Sequence, residues 1–208
     1  MPGSLIPLFP LKVVLFPRTP LPLHIFEERY KEMINDVLQA SSEFGVVQGN
    51  EEGIVTTGCT AQVDRVLRRY EDGRLDVLCV GRRRFEVMLL DQERSYLRAE
   101  VQFFDDESEE EVPTNLREEA LVTFKLLRES SDIQVIGEPS DSDPRLSFQL
   151  AQLIPDLHFR QVLLGTRSES ERLKQFNAYA PRHIAEQRQT AHVRKVAPTN
   201  GLGRKLTS

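Results

Sequence analysis

The chain has 208 residues, of which 39% are hydrophobic and 28% are charged, and its formal net charge is −5. These proportions exclude a disordered chain and a membrane-embedded one, and they allow one large domain or two small ones with cores of their own. The negative balance gives no overall electrostatic attraction to nucleic acid.

The chain start predicts neither export nor membrane insertion. Met1-Pro2-Gly3-Ser4 lacks the basic and apolar parts of a secretory signal. No apolar run approaches the roughly 20 residues that a membrane helix needs. Together with only two cysteines, these features predict a cytoplasmic protein with reduced thiols.

Residues 5–26 are apolar and interrupted by prolines. Proline has no N–H to donate to a sheet, so this composition predicts short strands and sheet edges joined by turns. From Glu27 to about Ala40, apolar residues recur three and four positions apart, which predicts an amphipathic helix packed on the sheet. Its apolar face consists of Tyr30, Met33, Ile34, Val37 and Leu38.

Strand-like runs follow at about 44–48, 58–70, 74–82, 83–91 and 96–104. In the third run, Leu75, Val77 and Cys79 share one face, while Leu78 and Val80 share the other. Apolar residues on both faces predict a closed or nearly closed sheet.

The pair Asp72-Gly73 lies between two of these runs and indicates a hairpin. A two-residue turn would place Arg69 opposite Asp76 as a cross-strand ion pair. The same register would separate Cys59 from Cys79 by about 20 Å along the strand. Since a disulfide needs Cα atoms within about 7 Å, both cysteines are predicted to be reduced.

An acidic run marks the predicted domain boundary, because six of the seven residues from Asp105 to Glu111 are carboxylates. Helical periodicity follows over about 114–129, and again after Asp143, and Pro181 is predicted to break or kink the last helix. Four parts result: a β domain with one helix at 1–104, an acidic linker at 105–113, a helical bundle at 114–180 and a basic, partly disordered tail at 181–208.

The motifs of common enzymes are missing from the sequence. It contains no P-loop, no Gly-x-Ser-x-Gly, no Ser-x-x-Lys, no His-Glu-x-x-His, no Cys-x-x-Cys and no Gly-x-Gly-x-x-Gly. His24 lies in an apolar run and is interpreted as a strand anchor that bonds to the backbone. The sequence therefore predicts no enzyme, no catalytic residue, no cofactor and no metal.

A second hypothesis rests on the arginines between residues 64 and 86, where the net charge is +2. Basic side chains on a hairpin are one way to bind nucleic acid. The candidate residues for this alternative RNA-binding function are Arg65, Arg68, Arg82, Arg83 and Arg84.

Several short motifs, in this order and spacing, resemble the N-terminal substrate-binding domain of Lon protease. They are Pro7 to Pro17, Leu21 to Tyr30, Phe44 to Val47, Gly58 to Val66, Asp72 to Val77, Val80 to Phe85, Tyr96 to Val101 and Asp143 to Leu153. The resemblance covers roughly residues 5 to 175. It implies an α+β fold, in which a PUA-like β pseudo-barrel carries one packed helix and is followed by a C-terminal α-helical bundle.

The resemblance also implies a role. In full-length Lon, this domain helps to recognise unfolded or tagged polypeptides and supports hexamer assembly, while the ATPase and Ser-Lys peptidase parts lie C-terminal to it. The chain resembles a stand-alone bacterial member without these parts. Cereblon pairs a Lon-type domain with a zinc-bearing ligand domain, whose cysteines are missing here.

The expected partners are therefore unfolded or tagged polypeptides, together with a protease or chaperone. An extended polypeptide is expected to use apolar pockets and strand edges of the proline-rich segment. The candidate residues for polypeptide binding are Phe16, Pro17, Leu23 and Tyr30.

Overall fold

The computed structural model describes residues 5–51, 53–107, 111–130 and 138–196, and its side chains as far as residue 190. The chain divides into two units. The first comprises Met1–Glu110 and Ile154–Glu169, and the second comprises Glu111–Leu153 and Ser170–Ser208. Within the described residues, no helix is both long enough and apolar enough to cross a membrane.

The first unit is built on six strands. They are β1 (Leu5–Leu11), β2 (Pro20–Ile25), β3 (Phe44–Asn50), β4 (Gly53–Arg69), β5 (Leu75–Asp91) and β6 (Arg98–Phe104). Five of them close into a ring, because β1 pairs with β3 and β6, β4 pairs with β3 and β5, and β5 also pairs with β6. The predicted closed sheet is confirmed, and β2 extends it by pairing with β5.

Strand β5 is one continuous element, whereas the sequence suggested separate runs at 74–82 and 83–91. Its first half pairs with β2 and β4, and its second half pairs with β6. Three register shifts along the β4–β5 pair allow these long strands to bend around the barrel. A bend without a break is invisible to a search for turn residues.

The predicted hairpin between β4 and β5 is present, but its register differs from the prediction. Gly73 has φ +82°, and the N–H of Tyr70 donates to the carbonyl oxygen of Arg74 across 3.0 Å. The loop therefore contains three residues with glycine in the left-handed region. Consequently Arg68, not Arg69, lies opposite Asp76.

The barrel is filled by apolar side chains and covered by helix α1 (Glu28–Ala40). Leu8, Val47, Phe85 and Ala99 form one buried cluster. Four residues of the predicted apolar face of α1 are buried, namely Tyr30, Met33, Ile34 and Val37. The amphipathic pattern therefore identified both this helix and the face that it buries.

The helices after β6 belong to both units. The second unit contains α2 (Thr114–Glu129), α3 (Leu146–Leu150), a 3₁₀ turn (Ala151–Leu153) and nearly all of α5, whereas α4 (Leu157–Gly165) lies in the first. The sequence, by contrast, predicts α4 as part of the bundle.

Helix α5 (Glu169–Val196) continues through Pro181, and Ala180 and Ile184 on either side of the proline are buried. The predicted break is thus absent, and the predicted tail is helical as far as Val196; residues 108–110 of the linker and 197–208 of the tail lie outside the described residues.

Candidate functional site

The four residues predicted to bind polypeptide lie at different depths. Phe16 is 0% exposed and Tyr30 is 8% exposed, while Pro17 is buried and Leu23 is half-buried. The Tyr30 ring lies 4.1 Å from that of Phe9. Phe16, Pro17 and Tyr30 are therefore core side chains rather than surface ones, and Leu23 alone of the four reaches solvent.

Burial of the proline-rich segment follows from its close contact with β5. The N–H of Arg18 donates to the carbonyl oxygen of Gly81 across 2.8 Å, and the N–H of Gly81 donates to that of Thr19 across 3.0 Å. A Cβ atom at Gly81 would lie 2.1 Å from the carbonyl oxygen of Phe16. Only glycine permits this approach, so residues 16–19 lie close against β5, and Phe16 and Pro17 are buried.

A polar cluster lies on the outer face where β2, β5 and β4 are neighbours. His24 Nδ1 is 2.5 Å from Asp76 Oδ1, and the Tyr70 hydroxyl donates to Asp76 Oδ2 across 2.8 Å. The hydrogen bonds from His24 and Tyr70 lower the pKa of Asp76. The same bond to Asp76 is the main cause that raises the pKa of Tyr70.

This cluster corrects the interpretation of His24, which bonds to a carboxylate and not to the backbone. A histidine held by a carboxylate resembles part of a catalytic triad. In the part of the chain that the structure describes, however, His24 has no hydrogen bond to a serine, cysteine or lysine side chain. The arrangement joins β2 to β5.

The arginines of the alternative hypothesis are largely engaged with neighbours. Arg65 pairs with Asp64 at 3.1 Å and Arg83 with Glu43 at 3.2 Å, while Arg82 donates to Gln62. Arg68 lies 4.5 Å above the ring of Tyr70. Two of these arginines are thus paired with carboxylates of the first unit, and a third is paired with an amide.

Arg84 is a clear departure from that hypothesis, since its side chain is only 1% exposed. Its guanidinium donates to Asp106 and to two carbonyl oxygens at the end of α4. A cation that is buried inside the fold cannot contact nucleic acid. Arg84 is therefore a structural residue.

Three consecutive residues of β5 have exposed apolar side chains. Met88 is 60% exposed, Leu89 is 63% exposed and Leu90 is 42% exposed. Successive side chains of a strand point to opposite faces, so both faces of the strand meet solvent here. We call residues 87–91 the β5 tip.

The β5 tip is also incompletely paired. Among the described residues, the β4–β5 register ends at the pair Thr57–Glu86, whereas pairing with β6 continues to Asp91–Arg98. No strand of the described structure therefore pairs with the other edge of the tip. The sequence does not predict this exposure, because Val87 to Leu90 is an apolar run like that of a buried strand, and no residue indicates where pairing with β4 ends.

Strand β2 has an edge of a different kind. It pairs with β5 alone, and two of its six residues, Pro20 and Pro22, are prolines at alternate positions. In an antiparallel pair, alternate residues direct their N–H groups to the same side. Since proline has no N–H, this spacing removes donors from one side of β2 and disfavours pairing with a further strand.

Two open cavities lie in the first unit. One, of about 530 Å³, lies at the hairpin tip between Arg68 and Arg74. The other, of about 510 Å³, contains Asp36, whose carboxylate accepts hydrogen bonds from Arg94 and Tyr96. Within the described residues there is no group of three His, Cys, Asp or Glu side chains that could hold a metal ion.

Comparison with known families identifies residues 5–179. They match the model of the ATP-dependent protease La (LON) substrate-binding domain. The chain is 32% identical over 158 residues to Lon protease of Parabacteroides distasonis, which covers 71% of this chain and 18% of the relative. It is 30% identical over 146 residues to Lon protease of Flavobacterium johnsoniae, covering 64% and 18%. The chain thus spans less than a fifth of the length of these curated relatives.

Solved structures show the same fold. The Lon N-terminal domain protein from Xanthomonas campestris has a TM-score of 0.69 and 25% identity, covering 85% of this chain and 98% of that one. The N-terminal domain of Mycobacterium avium complex Lon protease has a TM-score of 0.60 and 19% identity, covering 86% and 100%. The predicted α+β fold and the resemblance are confirmed.

Proposed function

The chain belongs to the family of the ATP-dependent protease La (LON) substrate-binding domain, and we propose that it is a non-catalytic module that binds unfolded or tagged polypeptides. The matched region corresponds to the substrate-recognition part of its relatives, so the proposed activity is binding and needs no reacting group. Its second partner in this proposal is a protease or chaperone that receives the bound chain.

One observation carries the proposal: three consecutive apolar side chains, Met88, Leu89 and Leu90, are exposed on a single strand. Single exposed apolar residues are common on any protein, but a contiguous apolar patch marks a binding surface. An unfolded polypeptide presents apolar side chains that a folded protein hides. The β5 tip is therefore the contact surface in this proposal.

Of the residues predicted from the sequence, Leu23 is half-buried and is proposed as a secondary contact. Phe16, Pro17 and Tyr30 are buried, and this proposal assigns them no contact with the polypeptide. Buried Cys59 and Cys79 thiols are compatible with the reducing cytoplasm, which is the proposed compartment.

The direct test measures binding of the purified chain to one fluorescently labelled protein in two forms. One form is kept unfolded by carboxymethylation of its cysteines, and the other is natively folded. We expect micromolar affinity for the unfolded form and at least about tenfold weaker binding to the folded form, since only the first exposes apolar segments. Equal affinity for both forms, or binding to neither, would refute the proposal.

A pull-down from cytosolic extract, with and without nuclease, identifies the class of natural partner. The proposal predicts that unfolded or protease-associated polypeptides are retained after nuclease treatment. Loss of every captured protein after nuclease would instead favour RNA as the partner.

A further inference from the structure

We infer that polypeptides bind to the β5 tip by adding a strand to its open edge, and that the preferred segments are apolar with basic residues on both sides. This inference rests on the proposed function and specifies its mode and its substrate class. It is carried by the backbone of the tip, by its side chains and by the charges around it.

The backbone of the tip is suited to strand addition. Pairing with β6 occupies one edge, and in the described structure the β4 register ends before the tip begins, at Thr57–Glu86. The sequence from Glu86 to Asp91 contains neither proline nor glycine. In the pairing with β6, the register shifts between Val87 and Leu89. Beyond this shift, the open edge from Leu89 to Asp91 presents N–H and C=O groups that an incoming strand can bond to, unlike the proline-containing β2.

The side chains of the tip provide contacts on both faces of such a strand. Leu89 and Leu90 are successive and follow the register shift, so they lie on opposite faces. An added strand also directs its side chains alternately to the two faces. Apolar residues at successive ligand positions would thus each contact an apolar side chain. This favours a continuous apolar segment over a segment in which apolar and polar residues alternate.

The charges around the tip are predominantly negative. At one end, Arg167 is shared between Glu86 at 3.8 Å and Glu107 at 3.5 Å. At the other end, Arg98 is shared between Asp91 at 2.8 Å and Glu93 at 3.5 Å. Each guanidinium thus pairs with two carboxylates. The group of three charges at either end of the tip therefore has a net charge of −1. Lysine or arginine on either side of an apolar segment complements this distribution.

The test uses nine-residue peptides with a central Val-Leu-Val-Leu-Val and two lysines at each end, a length of about 30 Å when extended. Two further versions carry backbone N-methyl groups, one at the second and fourth central residues and one at the third and fifth. An added strand donates from alternate residues to the edge. We therefore expect one methylated peptide to lose at least about tenfold in affinity while the other binds nearly as the parent does.

Equal affinity of both methylated peptides would overturn strand addition, and so would an equal loss in both. Replacing the four lysines with glutamates tests the charge. We expect roughly three- to tenfold weaker binding at about 0.05 M salt and a much smaller difference at about 0.5 M, because exposed charges are screened. Equal affinity of the two peptides at low salt would overturn the preference for basic segments.

Matched substitutions locate the site on the protein. Leu89→Thr removes an apolar side chain but keeps a residue suited to strands, and Leu67→Thr is its control because Leu67 is 57% exposed in the same unit. We expect roughly fivefold weaker peptide binding for Leu89→Thr and none of this loss for Leu67→Thr. An equal effect of both would place the binding site elsewhere.

The outcome separates this inference from the proposed function. If unfolded protein binds but the peptides show no register or charge dependence, only the inference fails. If unfolded protein does not bind, the proposed function fails with it. The alternative occupant of the tip is a second copy of the chain, and sedimentation velocity tests for it. Self-association that Leu89→Thr abolishes would overturn the inference. A monomer at the concentrations of the binding assay supports it.

Discussion

Arg84 of β5 donates a hydrogen bond to the carbonyl oxygen of Thr166, 82 residues further along the chain, across 2.8 Å. The same guanidinium donates to the carbonyl oxygen of Leu164 at 3.2 Å and to Asp106 at 2.5 Å. The last carbonyl groups of a helix lack partners within the helix and carry partial negative charge. A buried cation of the barrel therefore caps α4 and holds it within the first unit.

The first prediction concerns this cap. Arg84→Met keeps the length of the side chain but removes the hydrogen bonds that Asp106 and two carbonyl groups accept from Arg84. Removing one partner of a buried pair is strongly destabilising, and Asp106 is 18% exposed, so we expect a loss of about 2–4 kcal/mol in the free energy of unfolding. Urea denaturation followed by circular dichroism measures it.

Arg83→Met is the matched control. The Arg83 side chain is 57% exposed and pairs with Glu43 on the surface, and such pairs contribute about 0–1 kcal/mol. Comparable losses for the two variants would show that Arg84 is not a structural cap.

The sequence predicted much of the fold because its strongest signals are local. The helical pattern from Tyr30 to Val37 and the Asp72-Gly73 turn each involve residues close in the chain. The hairpin register was missed because the dipeptide does not determine the loop length: Gly73 adopts φ +82° in a three-residue loop. Similarly, the helix through Pro181 depends on burial of Ala180 and Ile184, which local rules do not contain.

The candidate site was less predictable for a related reason. Whether Phe16 faces solvent depends on its approach to Gly81, and whether Leu89 does depends on where β4 stops pairing with β5. Both are contacts between distant parts of the chain. Apolar composition identifies candidates for a core and for a binding surface alike, and only the pairing of strands distinguishes them.

The second prediction tests the contact at Gly81. A methyl group there would lie 2.1 Å from the Phe16 carbonyl oxygen, and backbone on both sides restricts relaxation. We expect Gly81→Ala to destabilise the protein by roughly 3 kcal/mol, measured as the shift of the thermal unfolding midpoint.

The control is Gly165→Ala, because no neighbouring atom lies within 4 Å of a Cβ atom there. Gly165 is the last residue of α4, and alanine favours helix by up to about 1 kcal/mol. An unfolding midpoint of Gly81→Ala equal to that of the parent would contradict the close approach of residues 16–19 to β5.

The third prediction concerns the thiols. Both cysteines are 0% exposed, and burial, assisted by the charge of Asp64, raises the pKa of Cys79 to about 12. Because the thiolate is the reactive form, we expect the thiols of the native protein at pH 8 to react with a disulfide reagent at least about a hundredfold more slowly than those of the unfolded chain. In the Cys59→Ala variant, any remaining reaction with the reagent comes from Cys79. Rapid reaction of that variant in its folded state would show that Cys79 is accessible.

The fourth prediction concerns stability in acid. Hydrogen bonds from His24 and Tyr70 and the charge of Arg68 lower the pKa of Asp76. A carboxyl whose pKa is lower in the folded state stabilises the protein above its ordinary pKa near 4, and this contribution is lost as the pH falls through the lower folded pKa. Asp76→Asn should therefore be less stable than the parent at pH 6, and the difference should shrink below about pH 4. Urea midpoints measured from pH 6 to pH 2.5 test this, and a difference that stays constant with pH would contradict it.

Tyr70→Phe removes one of the donors but keeps the carboxylate, so a carbon NMR titration of this variant should show the pKa of Asp76 shifted upward from its value in the parent.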